Sequence, residues 1–315
     1  METRDFRPSD YGPYGRIHDA LSPAQPFFPE RVKYEDSCYG RTRYKMKRYV
    51  AEADSEVAAV GEFNHLFWSY HPKRFSLSLE VHPRWQRRGI GGALYDHLVS
   101  ELRGIGAETA WVELPSDSTY ERKFVEDRGF VERRTTFESV LDLASVNPWW
   151  LEEPKEGLTN QGITMADLST EMKEDPSAGR KLFDSEDSAG QDVPNIVEAE
   201  GMSYHDYEII TLKNPLYVWR GSFVAKLGDE YVGSSSLLRA ETSDTMDQGF
   251  TAVRPEFRGR GIAQAVKVRV ARYAREAGVR FLWTHNDSRN RPMLSLNWKL
   301  GFVKKAEWIT FEKGL

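Results

Sequence analysis

The most specific chemistry in this sequence lies in two arginine- and glycine-rich stretches. The second reads Val253-Arg254-Pro255-Glu256-Phe257-Arg258-Gly259-Arg260-Gly261-Ile262-Ala263. Gly259 and Gly261 can take positive φ and let a ligand come close to the backbone. The helical run that begins at Ile262 would present unpartnered N–H groups with a partial positive charge. Arg258 and Arg260 would add full charges beside them. Together these features suit a pyrophosphate. The first stretch, Gln86-Arg87-Arg88-Gly89-Ile90-Gly91-Gly92, falls on the second at an offset of 172 residues. The same offset lays Val81 on Val253, Pro83 on Pro255, Gly106 on Gly278, Trp111 on Trp283 and Gly129-Phe130 on Gly301-Phe302. A repeat on this scale means two copies of one domain.

Gln86-x-x-Gly89-x-Gly91 and Arg258-x-x-Gly261-x-Ala263, each after a strand, resemble the signature of the GNAT acetyltransferase superfamily. The second copy also resembles tandem members in Asn286, Asn290, Met293-Leu294, Asn297 and Leu300-Gly301-Phe302. The resemblance covers most of the chain and is most specific over residues 76–137 and 246–311. It implies an α/β chain of two tandem GNAT-fold domains. Each would be a mixed, mostly antiparallel central sheet flanked by helices and splayed at its centre. It also implies that the turns hold the pyrophosphate of acetyl-CoA, with the pantetheine added as a strand between two splayed parallel strands. In the second copy the residues so implied are Val253, Arg258, Gly259, Arg260, Gly261, Ile262, Ala263, Asn286 and Asn290. In the first they are Val81, Gln86, Arg87, Arg88, Gly89, Ile90, Gly91 and Gly92.

The elements that must position these turns follow from periodicity. Phe75 to Val81 alternates as the strand entering the first turn, and Gly92 to Arg103 is the amphipathic helix leaving it. Arg48–Ala53 and Val57–Leu66 read as a hairpin. A strand at Ala110–Leu114, a helix at Tyr120–Arg128 and a closing strand at Thr136–Leu141 complete the first plan. The second plan repeats it, with a hairpin around Gly228-Asp229, a strand from Asp247 to Val253, a helix from Ile262 to Ala277 and a closing strand at Glu307–Phe311. Residues 1–145 and 161–315 are expected as the two domains. Residues 146–160 would be the linker, with Trp149 and Trp150 packing at the junction.

The resemblance makes residues 9–48 and 171–208 the acceptor side of each domain. The latter segment holds 11 Asp and Glu against 3 Lys and Arg, the former 5 against 8. An acidic approach draws a protonated amine and a basic one repels it. Asp184, Glu186, Asp187 and Asp192 are the densest part of the acidic segment. Many relatives carry a tyrosine four residues before the closing glycine as an acid for the departing thiolate. Here Val125 and Asn297 hold those places. Asn297 can donate a hydrogen bond but is no acid. For the base that takes the amine's proton, Glu80, Asp247, His285 and Glu307 all stand open. The missing asparagines of the first copy, where Leu114 and Ser118 stand, favour the second domain as catalytic.

Composition excludes several other classes. The hydrophobic and aromatic content, 40% and 12%, suits packed cores rather than disorder. A net charge of −5 argues against a general nucleic-acid binder. No window approaches a membrane span, and the opening residues lack an apolar signal region. Cys38 is the only cysteine, which points to a reducing compartment and a cytoplasmic protein. No Cys-x-x-Cys, His-Glu-x-x-His or Ser-His-Asp spacing is present, so no metal is expected and direct transfer without a covalent enzyme intermediate fits best. The expected function is therefore acetyl transfer from acetyl-CoA to an amine of a small polar molecule, by a monomer or homodimer. A non-catalytic acyl-CoA sensor and a protein lysine or N-terminal acetyltransferase are the alternatives.

Overall fold

A computed structural model of the chain describes residues 2–146, 155–191, 193–194 and 199–315. In chain order the elements are β1 (Glu2–Asp5), α1 (Tyr11–Leu21), α2 (Pro29–Tyr39), β2 (Met46–Ala53), β3 (Glu56–Asn64), β4 (Arg74–Val81), α3 (Ile90–Gly104), β5 (Thr109–Pro115), α4 (Thr119–Glu126) and β6 (Val131–Asp142). They continue with α5 (Lys155–Thr159), β7 (Ile163–Asp167), α6 (Leu168–Glu174), α7 (Ala178–Gly190), α8 (Tyr204–Tyr207), β8 (Phe223–Leu227), β9 (Glu230–Arg239), β10 (Thr245–Val253), α9 (Ile262–Glu276), β11 (Phe281–Asp287), α10 (Arg291–Lys299) and β12 (Val303–Gly314). The chain forms two compact units. One is built on Met1–Arg134 and Trp308–Leu315, with a short piece around Gly201. The other is built on Thr135–Pro194 and Ser203–Glu307.

The first unit orders its strands β1-β2-β3-β4-β5-β12. All neighbours in it run antiparallel except β4 and β5. Helix α3 lays Ile90, Leu94, Leu98 and Leu102 on this sheet, each buried. Full burial of such side chains stabilises the unit by about 1.5–3 kcal/mol apiece. Close approach is possible because β3 offers a glycine: a Cβ on Gly61 would lie 2.8 Å from Leu98. The second unit orders its strands β7-β8-β9-β10-β11-β6, with β10 and β11 the parallel pair. Gly233, the repeat mate of Gly61, performs the same service for α9, where a Cβ would lie 2.7 Å from Ile262.

The closing strands differ from expectation. Thr136–Asp142 pairs with β11 of the second unit, from Asp287 to Phe281. The C-terminal residues Trp308–Gly314 pair with β5 of the first, from Pro115 to Thr109. Each unit is thus completed by the other's expected closing strand, and the contiguous division at residue 145 does not describe the compact units. The physical reason is the repeat itself. Thr136 and Trp308 stand 172 residues apart, so the two strands occupy the same place in the pattern and either can complete either sheet. The linker around Trp149 and Trp150 lies outside the described residues. Among the described residues, no helix is long and apolar enough to cross a membrane.

Candidate active site

Each unit presents the same turn. β4 and β10 run into a short 3₁₀ turn, then into Gln86–Gly89 and Arg258–Gly261. Gly89 and Gly261 cap their helices with φ of 83° and 85°. Gly259 has φ 76°, and its mate Arg87 takes 62° without being a glycine. A Cβ added at Gly89, Gly259 or Gly261 would meet nothing within 4 Å. The glycines therefore answer backbone conformation and leave open space over the helix start. That is an open anion cradle, and it fits a pyrophosphate.

The side chains at the head of each motif do something other than expected. Gln86 donates Nε2 to the Val81 carbonyl at 3.1 Å, and Arg258 donates Nε to the Val253 carbonyl at 3.1 Å. Arg258 also reaches the Ala189 carbonyl. Both residues tie the turn to the strand before it, so their structural duty comes first and the backbone amides form the cradle. Arg87 stacks over Tyr120 at 3.9 Å, Arg88 over Trp85 at 4.9 Å and Arg260 over Phe257 at 5.0 Å. These cations stand at the rim.

Below the turn the parallel strands separate. β4 and β5 pair only from Arg74–Ser76 to Thr109–Trp111, and β10 and β11 only from Thr245–Asp247 to Phe281–Trp283. The opening that follows bares the backbone of one edge to an added strand. Only the second unit kinks that edge. β3 and β4 keep one register from Asn64↔Ser76 to Ala59↔Val81. β9 and β10 shift between Gln248↔Leu237 and Thr251↔Ser235, so Gly249 and Phe250 face Ser236 alone. This β-bulge needs glycine, since a Cβ on Gly249 would lie 2.5 Å from Ser236 Oγ and 2.8 Å from Leu238. A bulge takes backbone groups out of the ladder and re-aims them.

Across the opening, on β11, stands Asn286. Asn297 of α10 is 0% exposed and donates Nδ2 to Asn286 Oδ1 at 2.6 Å. Asn290 caps α10, its Oδ1 accepting from the Met293 N–H, so its carbonyl serves the helix rather than a ligand. His285 is 60% exposed on its side chain and stands 3.7 Å from the buried carboxylate of Glu138. Asp247 lies at the last paired position of β10, half-buried, one residue ahead of the bulge's start. Glu307 pairs with Lys304. Of the proposed catalytic residues, the structure joins only Asn297 to a cofactor-side residue, Asn286.

The acceptor sides correct the charge count. In α7, Asp184 pairs with Arg180, and Glu186 turns inward. Asp192 lies outside the described residues. Glu186 follows Leu182 by four and precedes Ala189 by three, which puts it on the buried stripe of the helix. Tyr207 and Ser234 donate to its two oxygens at 2.8 and 2.9 Å. Burial pushes its carboxyl up to about 7, against the two hydroxyls that favour the charged form. In the first unit the basic majority of residues 9–48 does not set the inner charge. Arg48 is held between Glu62 and Asp36 at 2.5 and 2.6 Å. Glu80 bonds His18 Nδ1 at 3.1 Å, while Nε2 faces the Gln25 carbonyl at 3.0 Å. Both partners are acceptors, so the His18 ring donates twice and is held protonated, its pKa raised chiefly by Glu80. Glu80 is therefore an ion-pair partner within the first unit.

Glu186 has a consequence for stability. Its folded pKa lies above the ordinary carboxylate value, so its contribution is present below about 4.5 and is lost as pH rises through about 7. The full swing is on the order of 3 kcal/mol. Between pH 5 and pH 8 the wild type should lose melting temperature, and Glu186→Gln should lose much less. Parallel curves in calorimetry would refute the assignment.

The sequence profile of the acetyltransferase (GNAT) family matches residues 15–130 and 192–302. The [ribosomal protein bS18]-alanine N-acetyltransferase of Escherichia coli strain K12 is 36% identical over 55 residues, which is 18% of this chain and 37% of that protein. The chain thus spans little more than a third of the length of this curated relative. Among solved structures, a tandem GNAT protein from the clavulanic acid biosynthesis pathway is 18% identical with a TM-score of 0.77, covering 99% of this chain and 98% of that one. A GCN5-related N-acetyltransferase from Sphaerobacter thermophilus is 21% identical with a TM-score of 0.68, covering 99% and 95%. These likenesses show the fold. With both repeats matched by the family profile, the chain belongs to the acetyltransferase (GNAT) family.

Proposed function

We propose that this protein transfers an acetyl group from acetyl-CoA to a primary amine of a small polar molecule, and that the second unit carries the chemistry. The observation that carries the choice of unit is the bulge at Gly249-Phe250, beside the opening between β10 and β11. Backbone N–H groups aimed into such an opening stabilise charge that develops on a thioester oxygen. The ladder of the first unit is unbroken at the matching place, and Val125 and Leu114 stand where the second has Asn297 and Asn286. The chain's own residues then divide the work. The turn amides hold the pyrophosphate, the strand edge takes the pantetheine, and Asn286 and Asn297 border the acyl end. The test is release of free coenzyme A from acetyl-CoA with a panel of small amines. Background release with every amine would leave a sensor.

A protein N-terminus is the second reading. It rests on the 55-residue similarity to the ribosomal-protein alanine acetyltransferase. Peptides beginning with alanine, run beside small amines, separate the two.

The acceptor side gives a salt prediction. Asp187 is exposed on α7, and Asp184 is exposed but paired with Arg180. Exposed charges act through water and are screened within ~8 Å at physiological salt. A cationic acceptor should show a KM that rises with salt. Asp184→Asn with Asp187→Asn should raise KM by no more than about threefold in low salt and hardly at all in high salt. A KM indifferent to salt would leave the acidic segment as a solvated face.

A further inference from the structure

Helix α9 buries a lysine on its apolar face. Lys267 stands among Ile262, Val266, Val270 and Ala274 and is 2% exposed. Its ammonium lies 5.1 Å from the centre of the Phe302 ring, and it makes no hydrogen bond or ion pair among the described residues. The repeat does not require a lysine, since the matching residue of the first unit is Tyr95. A short path leads from Lys267 to the opening. The Phe302 N–H donates to the Asn297 carbonyl at 3.0 Å. Asn297 donates its amide to Asn286, and its own Oδ1 is buried without a partner. Asn286 stands on β11 three residues past Trp283, where pairing with β10 ends. An unpaired buried cation and an unpaired buried acceptor therefore lie near each other, beside the opening.

We propose that Lys267 is the proton source for the thiolate that departs in the second unit, with Asn297 and Asn286 as positioning residues between it and the acyl carbon. The inference rests on reading the opening as the acetyl-CoA site. When the amine nitrogen bonds the acyl carbon, the carbon–sulfur bond breaks and the sulfur leaves with the electron pair. Lys267 gives that sulfur a proton and becomes a neutral amine. The proton shed by the incoming amine restores the ammonium. Asn297 occupies the place where many relatives carry an acidic tyrosine, and Lys267 supplies the acid that Asn297 is not. Desolvation alone pushes Lys267 down to about 7, so both of its forms are accessible near neutral pH.

Stability and activity should part company when this residue is changed. An unpaired charge in an apolar site costs stability, and an apolar isostere removes that cost. Lys267→Met should therefore melt higher than the wild type at pH 7, by roughly 3 °C or more. The gap should narrow from pH 7 towards pH 10. Over that range the unfolded lysine keeps its proton and the folded one has released it, so wild-type stability rises with pH. Coenzyme A affinity should stay within about threefold, because the turn is untouched, while kcat falls by about a hundredfold. The wild type should lose kcat above about pH 7 as Lys267 deprotonates. That limb should vanish in Lys267→Met and move to higher pH in Lys267→Arg. A lower melting temperature for Lys267→Met would mark a structural lysine and overturn the proposal. So would an unchanged kcat with the limb intact. Failure of the wild type to bind acetyl-CoA at all would instead overturn the cofactor reading, and this proposal with it.

Discussion

Gly261→Asp should abolish coenzyme A binding at the second unit and with it turnover. Gly261 sits at φ 85°, which strains any side chain, and its Cβ direction opens into the cradle. An aspartate there costs about 1 kcal/mol in backbone strain. It also places a negative charge against the pyrophosphate at the helix start, reversing an interaction that favours anions. A combined loss of at least ~3 kcal/mol is a fall of a hundredfold or more in affinity. Gly89→Asp makes the same change in the first unit, whose turn has the same geometry. Titration calorimetry should therefore find up to two coenzyme A per wild-type chain and one in either variant, with turnover surviving only Gly89→Asp. Unchanged affinity in Gly261→Asp would dismiss the cradle. Turnover surviving Gly261→Asp but not Gly89→Asp would move the chemistry to the first unit.

The second large effect is expected from a deletion at the far end of the chain. Removing residues 308–315 should unfold the first unit and spare the second. Ile309 and Phe311 are 6% and 1% exposed and lie in the core that contains Leu94, Val112 and Phe130. Their burial contributes about 3–6 kcal/mol, before the loss of the ladder to β5. That approaches the whole stability of an ordinary domain, about 5–15 kcal/mol. Hydrogen exchange should show loss of protection in β4 and β5 with β9 to β11 retained. Phe311→Ala is the milder form, expected to cost about 3–5 kcal/mol. Equal loss of protection in both units would contradict the exchange of closing strands.

The sequence reveals the turns because their constraints are local. Positive φ needs glycine, a helix start must follow at once, and a repeat at 172 residues confirms the register. The partners of β6 and β12 are hidden for the opposite reason. Two strands at matching places in a repeat carry no residue that names one sheet over the other. Charge counts failed at Glu186 and in residues 9–48 because a count ignores helix phase. The stripe Leu182, Ser185, Glu186, Ala189 was available in the sequence, and it puts the carboxylate inside. Lys267 carried the same signal, a charge at a position whose neighbours at three- and four-residue spacing are apolar. The bulge at Gly249 had only a glycine in a strand to announce it.

The exchanged closing strand also sets a timetable for synthesis. β5 ends at Pro115, and the residues that cover its edge begin at Trp308. At about 5–20 residues per second, a ribosome leaves that edge uncovered for roughly 10–40 s. The first unit is the first to be made and the last to be finished. Its nascent form carries a bare strand edge, the kind of surface on which chains pair with each other. The second unit receives β6 early and can close as soon as β11 emerges. Folding of this chain therefore runs against the direction of translation, and the nascent first unit is the stage at which a holding chaperone would matter most.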